Sequence, residues 1–72
     1  MLLNYLRMHI GAPYISDLRY SHMWKQVLVC MALDRETCSM FSLYDWHEAL
    51  LYLKGEDFTS PDYKDYLNRL IQ

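Results

Sequence analysis

Five side chains in the sequence can act as nucleophiles, proton carriers or soft metal ligands: His9, His22, His47, Cys30 and Cys38. His22, Cys30, Cys38 and His47 follow one another at separations of 8, 8 and 9 residues. Structural zinc sites take two ligands from one short turn, because neighbours on a turn already point toward a shared tetrahedron. No pair here has that spacing, so no metal and no cofactor is expected. A cysteine and a histidine that meet only in space can still form a nucleophilic pair. Both cysteines, however, stand among apolar neighbours, which raise a thiol pKa rather than lower it. They are expected to be buried, inert thiols.

The remaining catalytic patterns are missing too. With two glycines in the chain there is no glycine-rich phosphate loop. Asp45 and Glu48 share a helix face, but one face of one short helix offers no pocket for acid–base work. The chain is not expected to be an enzyme. His47 falls between Leu43, Leu50 and Leu51, apart from the face of Asp45, Glu48 and Tyr52. From that boundary it can form one hydrogen bond or serve as a pH-sensitive contact.

Binding is the chemistry left, and seven tyrosines are available for it. Tyrosine buries a large area while ordering few torsions, which suits it to interfaces as much as to cores. Tyr20, Tyr63 and Tyr66 lie on apolar helical stripes and are expected in the core. Tyr14 lies in the loop before Ser16, Tyr44 at the edge of an apolar arc, and Tyr52 on a polar helix face with Glu48. Tyr14, Tyr44, Tyr52 and Glu48 are therefore the candidate partner-binding residues.

The elements that must position these residues read as helices. Twelve leucines and five methionines outweigh seven β-branched residues, a composition that favours helix over strand. Leu2, Leu3, Leu6 and Ile10 form one face of a helix over about 2–10, closed by Gly11 with Pro13 beyond. Ser16 can cap a helix over about 17–33, along which Tyr20, Met23, Trp24, Val27, Leu28 and Met31 keep helical spacing. Ser42 and Asp45 stand at capping-box spacing, and Phe41 and Trp46 at staple positions, for a helix over about 43–54 that stops at Gly55. Ser60 and Pro61 open an amphipathic helix over about 61–71. The expected fold is an all-α, compact bundle of four short helices in a single domain, residues 1–72. The alternative is α+β, with a β-hairpin at about 26–43 packed on helices, because the seven apolar residues Val27 to Leu33 also read as a buried strand.

Charge narrows the partners. Residues 1–35 carry four basic side chains against two acidic ones, and residues 36–72 carry three against seven. A net charge of −2 with no adjacent basic pair lacks the cationic stripe that releases counterions from nucleic acid. Met1 to Arg7 is too short and too interrupted for a signal-peptide core, and no segment approaches the roughly 18 apolar residues of a membrane span. The chain reads as cytoplasmic, with free thiols. The function expected is a small non-enzymatic protein-interaction module, a regulator or inhibitor that binds another protein or itself as a homodimer. The alternative is a small nucleic-acid-binding transcriptional regulator that uses the basic N-terminal half.

Overall fold

The computed structural model describes residues 1–72, and every regular element in it is helical. The elements are α1 (Leu2–Ile10), a 3₁₀ helix (Ile15–Tyr20), α2 (Met23–Ala32), α3 (Arg35–Ser39), α4 (Leu43–Lys54) and α5 (Tyr63–Ile71). The bundle is all-α as expected, with two short helices added to the four long segments.

Local chemistry explains most of the boundaries. At the end of α1, Gly11 takes the left-handed conformation (φ 73°), and the Ala12 N–H reaches back to the Arg7 carbonyl at 3.1 Å. These are the bonds of a glycine-terminated helix, which satisfy carbonyls that have no partner in the next turn. At the start of α4 the capping box closes in both directions. The Asp45 N–H donates to Ser42 Oγ (3.2 Å) and the Ser42 N–H to Asp45 Oδ2 (3.0 Å). Phe41 meets Trp46 edge to face at 6.5 Å, completing the staple. Gly55 (φ 69°) ends the helix, its N–H bonded to Leu51 O at 3.0 Å.

The single helix expected over 17–33 is not formed. Ser21 is extended (φ −119°, ψ 146°), and its hydroxyl accepts the Met23 N–H at 3.1 Å. A serine side chain that offers the backbone a local acceptor competes with continuation of the helix. The chain therefore breaks into the 3₁₀ helix and α2. Ser16 lies inside the first piece rather than capping it, and the Tyr14 N–H donates to Asp17 Oδ2 (3.2 Å). The break also turns Tyr20 outward: expected in the core, it is 87% exposed.

The β-hairpin alternative over 26–43 is likewise absent. Of the run Val27 to Leu33, only Leu28 and Met31 are buried, and Leu33 is 89% exposed. Asp34 starts α3 instead. Its Oδ1 accepts the Glu36 and Thr37 N–H groups (3.1 and 3.4 Å), and its Oδ2 accepts the Thr37 hydroxyl (2.7 Å). Further on, α5 begins two residues later than expected, with Asp62 as its cap accepting the Lys64 N–H at 3.0 Å. Ser60 instead pins the preceding loop, its N–H donating to the Tyr66 hydroxyl at 2.9 Å.

The four longer helices close into a ring. α1 packs on α2, α2 on α5, α5 on α4 and α4 on α1, while α3 lies against α2. Fourteen buried residues fill the centre, none of them polar or charged; Trp46 is the largest of those fully enclosed. The total accessible surface of 4650 Å² matches the roughly 4,700 Å² expected for a chain of this mass. The ring is thus closed to ordinary compactness, and a groove on it is shape rather than looseness.

Candidate functional site

One groove interrupts the surface, where α1, α2 and α3 meet, with a volume of about 420 Å³. From α1 come Tyr5, His9 and Ile10, the edge next to the buried stripe Leu2–Leu3–Leu6. The α2 wall is Met23, Gln26, Val27, Cys30 and Met31, while α3 with its cap closes one end through Asp34 and Thr37. The reason lies in the breadth of the apolar stripe on α2. Trp24, Leu28 and Met31 fill the core side, and helical spacing leaves Met23, Val27 and Cys30 on the adjacent side. Val27 is partly covered by the core it packs against, and Met23 is left 56% exposed.

The polar groups of the groove have defined states. The His9 ring stacks on Tyr5 at 4.0 Å, and its Nδ1–H donates to the Tyr5 carbonyl at 3.0 Å, which leaves Nε2 as the free ring nitrogen. Hydrogen bonds, the Thr37 hydroxyl foremost and the Thr37 and Glu36 amides with it, hold the Asp34 carboxyl below the usual carboxylate range. It is the one carboxylate lining the groove, and no lysine or arginine lines it.

The two cysteines part company. Cys30, expected to be buried, is exposed in the groove because it sits on the outer edge of α2. Cys38 is buried, and its thiol donates to the Met31 carbonyl at 3.2 Å. Burial pushes the Cys38 thiol above its ordinary pKa; a hydrogen bond from Tyr63 works against that rise and the Asp34 charge adds to it. The His, Cys, Asp and Glu side chains form no group of three able to hold a metal ion.

The residues singled out from the sequence lie elsewhere. Tyr44, Glu48 and Tyr52 follow one another at four-residue spacing along α4, so the helix brings them to one face. Tyr44 is 70% exposed. Glu48 is half-buried and enters no ion pair. Tyr52 is half-buried: it packs against the core, and the Arg19 guanidinium lies over its ring at 4.1 Å. Tyr14 is 70% exposed on the segment before the 3₁₀ helix and shares no hydrogen bond or ring contact with the other three. The His47 Nε2–H donates to Asp57 Oδ1 at 2.9 Å, which ties α4 to the loop before α5. The sequence does not reveal the groove: it places Met23, Val27 and Met31 on one helical stripe, and Cys30 is expected to be buried. The width of that stripe is the available signal: Trp24, Leu28 and Met31 are buried on it, while Met23 and Cys30 are left exposed.

Comparison with protein-family models, curated proteins and solved structures finds no match for this chain. No helix is long and apolar enough to cross a membrane.

Proposed function

We propose that this protein acts by binding another polypeptide, as a small non-enzymatic regulator or inhibitor, and that the groove between α1 and α2 is its principal contact surface. The observation that carries the reading is the gathering of uncovered apolar side chains. The part-buried Tyr5, Ile10 and Val27 and the exposed Met23 and Cys30 line one concavity instead of being scattered singly, which is the arrangement that marks binding surfaces. Methionine adapts its shape to what it meets, and the exposed Met23 stands on the wall. Tyr14, Tyr44, Tyr52 and Glu48 are secondary contacts in this reading, with Tyr44 the most available of the three α4 residues. A regulator of this kind works by occupancy and needs no cofactor.

The basic N-terminal half gives the nucleic-acid alternative little support. Arg7 is bonded to Asn4 and to the Ala12 carbonyl, Arg19 covers Tyr52, and Lys25 reaches the Gln72 carbonyl. Three of its four cations are already engaged within the fold.

The test is affinity capture from the source cell with three baits: the parent chain, Cys30→Lys in the groove, and Val29→Lys on the exposed part of α2 outside the groove lining. Both positions are exposed, so both variants are expected to fold, as circular dichroism would verify. A protein retained by the parent and by Val29→Lys but lost with Cys30→Lys is the expected result. Equal retention by all three baits, or no retained protein, rejects the groove as the contact surface.

A further inference from the structure

The shape and charge of the groove specify its occupant further, on the reading that the groove binds a polypeptide. The first constraint is backbone chemistry. An extended segment laid against apolar walls needs partners for its own N–H and C=O groups, as when a strand is added to a sheet edge. This fold has no strand, and the α1 and α2 walls present side chains whose backbone groups are spent within their helices. A helix brings its backbone bonds already made. Length agrees: Met23 to Cys30 along α2 is seven residues, or roughly 10.5 Å at the helical rise. The same distance separates the first and last anchors of an i, i+3/i+4, i+7 stripe.

The second constraint is charge. Asp34 is the only ionised carboxylate in the lining, and it stands where α2 ends, its N–H bonded to the Met31 carbonyl at 2.9 Å. The Asp34 carboxylate therefore favours a cation at this end of the groove, and no lysine or arginine of this protein lines the groove to supply it. Arg35 follows Asp34 in sequence but forms no ion pair and is not part of the lining.

We infer that the groove receives an amphipathic helix of another protein, its apolar stripe against Ile10 and Val27 and a lysine or arginine over Asp34. The helix would lie along α2 with its basic residue at the Asp34 end, and Met23 would close over its far end.

The experiment uses the full chain and two fluorescein-labelled 14-residue peptides, one of leucine and lysine at helical spacing and one with glutamate in place of every lysine, read by fluorescence anisotropy. The leucine–lysine peptide is expected to bind, and the leucine–glutamate peptide to bind at least tenfold more weakly. Asp34→Asn keeps a good helix cap while removing the charge, and is expected to weaken the first peptide about two- to fivefold, the scale of one exposed ion pair. Val29→Lys changes net charge by the same amount away from the groove, so it measures the general attraction of an acidic protein for a basic peptide. Cys30→Lys is expected to abolish binding.

The inference is overturned if Asp34→Asn weakens binding no more than Val29→Lys, if both peptides bind alike, or if Cys30→Lys leaves binding intact. It is overturned equally if neither peptide binds, or if the parent sediments as a dimer that Cys30→Lys dissociates, since the occupant is then a second copy. None of these peptide results alters the capture experiment, which tests the broader reading by itself.

Discussion

Trp46 offers a stringent test of the packing, because two opposed effects meet at one side chain. The indole is fully buried, lies between Phe41 (6.5 Å, edge to face) and Tyr63 (5.6 Å, tilted), and its Nε1–H has no hydrogen-bond partner. Truncation to alanine removes the whole ring, and large-to-small changes of this kind cost about 3–5 kcal/mol. A chain of this length is expected to have only about 4–11 kcal/mol in total. Trp46→Ala should therefore be barely folded, its urea midpoint lowered by about 3 M or more at a slope of roughly 1 kcal/mol per M. Trp46→Phe is different. It leaves a void of up to about 40 Å³, worth about 1 kcal/mol at ~24 cal/mol per Å³, and gives up about 1 kcal/mol more in transfer free energy of the removed ring atoms. It also removes a buried donor whose unmet desolvation costs about 1–3 kcal/mol. The two effects nearly cancel, so its midpoint should lie within about 1 M of the parent. Far-UV circular dichroism in urea measures both variants, with Trp24 fluorescence as a second probe. A Trp46→Phe variant as unstable as Trp46→Ala would refute the reasoning, since it would mean the indole N–H is satisfied and stabilising.

Other outcomes follow from single contacts. Tyr66→Phe strands the part-buried Ser60 N–H that donates to the tyrosine hydroxyl; it should cost about 1 kcal/mol, a fall of roughly 4–8 °C in melting temperature, and an unchanged melt would contradict it. A thiol reagent should label Cys30 rapidly in the native protein and Cys38 only on unfolding, because Cys38 is buried and its pKa is raised; two fast equivalents would overturn that assignment. Asp34 binds its proton less readily folded than unfolded, so its stabilisation is fully present above about pH 3.8 and is lost as pH falls through its lower folded value. The stability gap between the parent and Asp34→Asn should narrow on acidification below 3.8, and a gap that stays constant there would remove the carboxylate from the account. Arg19→Ala should uncover Tyr52 and cost about 0.5–1 kcal/mol through the lost guanidinium–ring contact, measured by the same urea titration; a variant matching the parent would show that contact to be incidental.

Where signals are local, the sequence was sufficient. α1 and α4 occupy the residues read from it, because a glycine at φ near 70° and a reciprocal Ser42–Asp45 box act within one turn and need no distant partner. Ser21 and Asp34 carried signals of the same kind. They were outweighed by apolar periodicity, which ran unbroken from Tyr20 to Leu33 and suggested one helix or a strand where the chain forms two helices and a cap. Competition between a side-chain acceptor and continued helix is settled by a few kcal/mol of packing on either side, and that packing belongs to the assembled bundle.

The groove marks the boundary more sharply. Residue types determined that α2 would have a wide apolar stripe, that Cys30 would lie four residues from Asp34, and that no metal-ligand spacing was present. Which part of the stripe is covered depended on how α1 and α5 flank α2, and that is a matter of helix packing across residues far apart in the chain. The same applies to Tyr52, whose polar face was legible but whose cover, Arg19, arrives from another element. Periodicity describes a face; only the neighbours that tertiary contact brings to it decide whether that face becomes core, cover or binding surface.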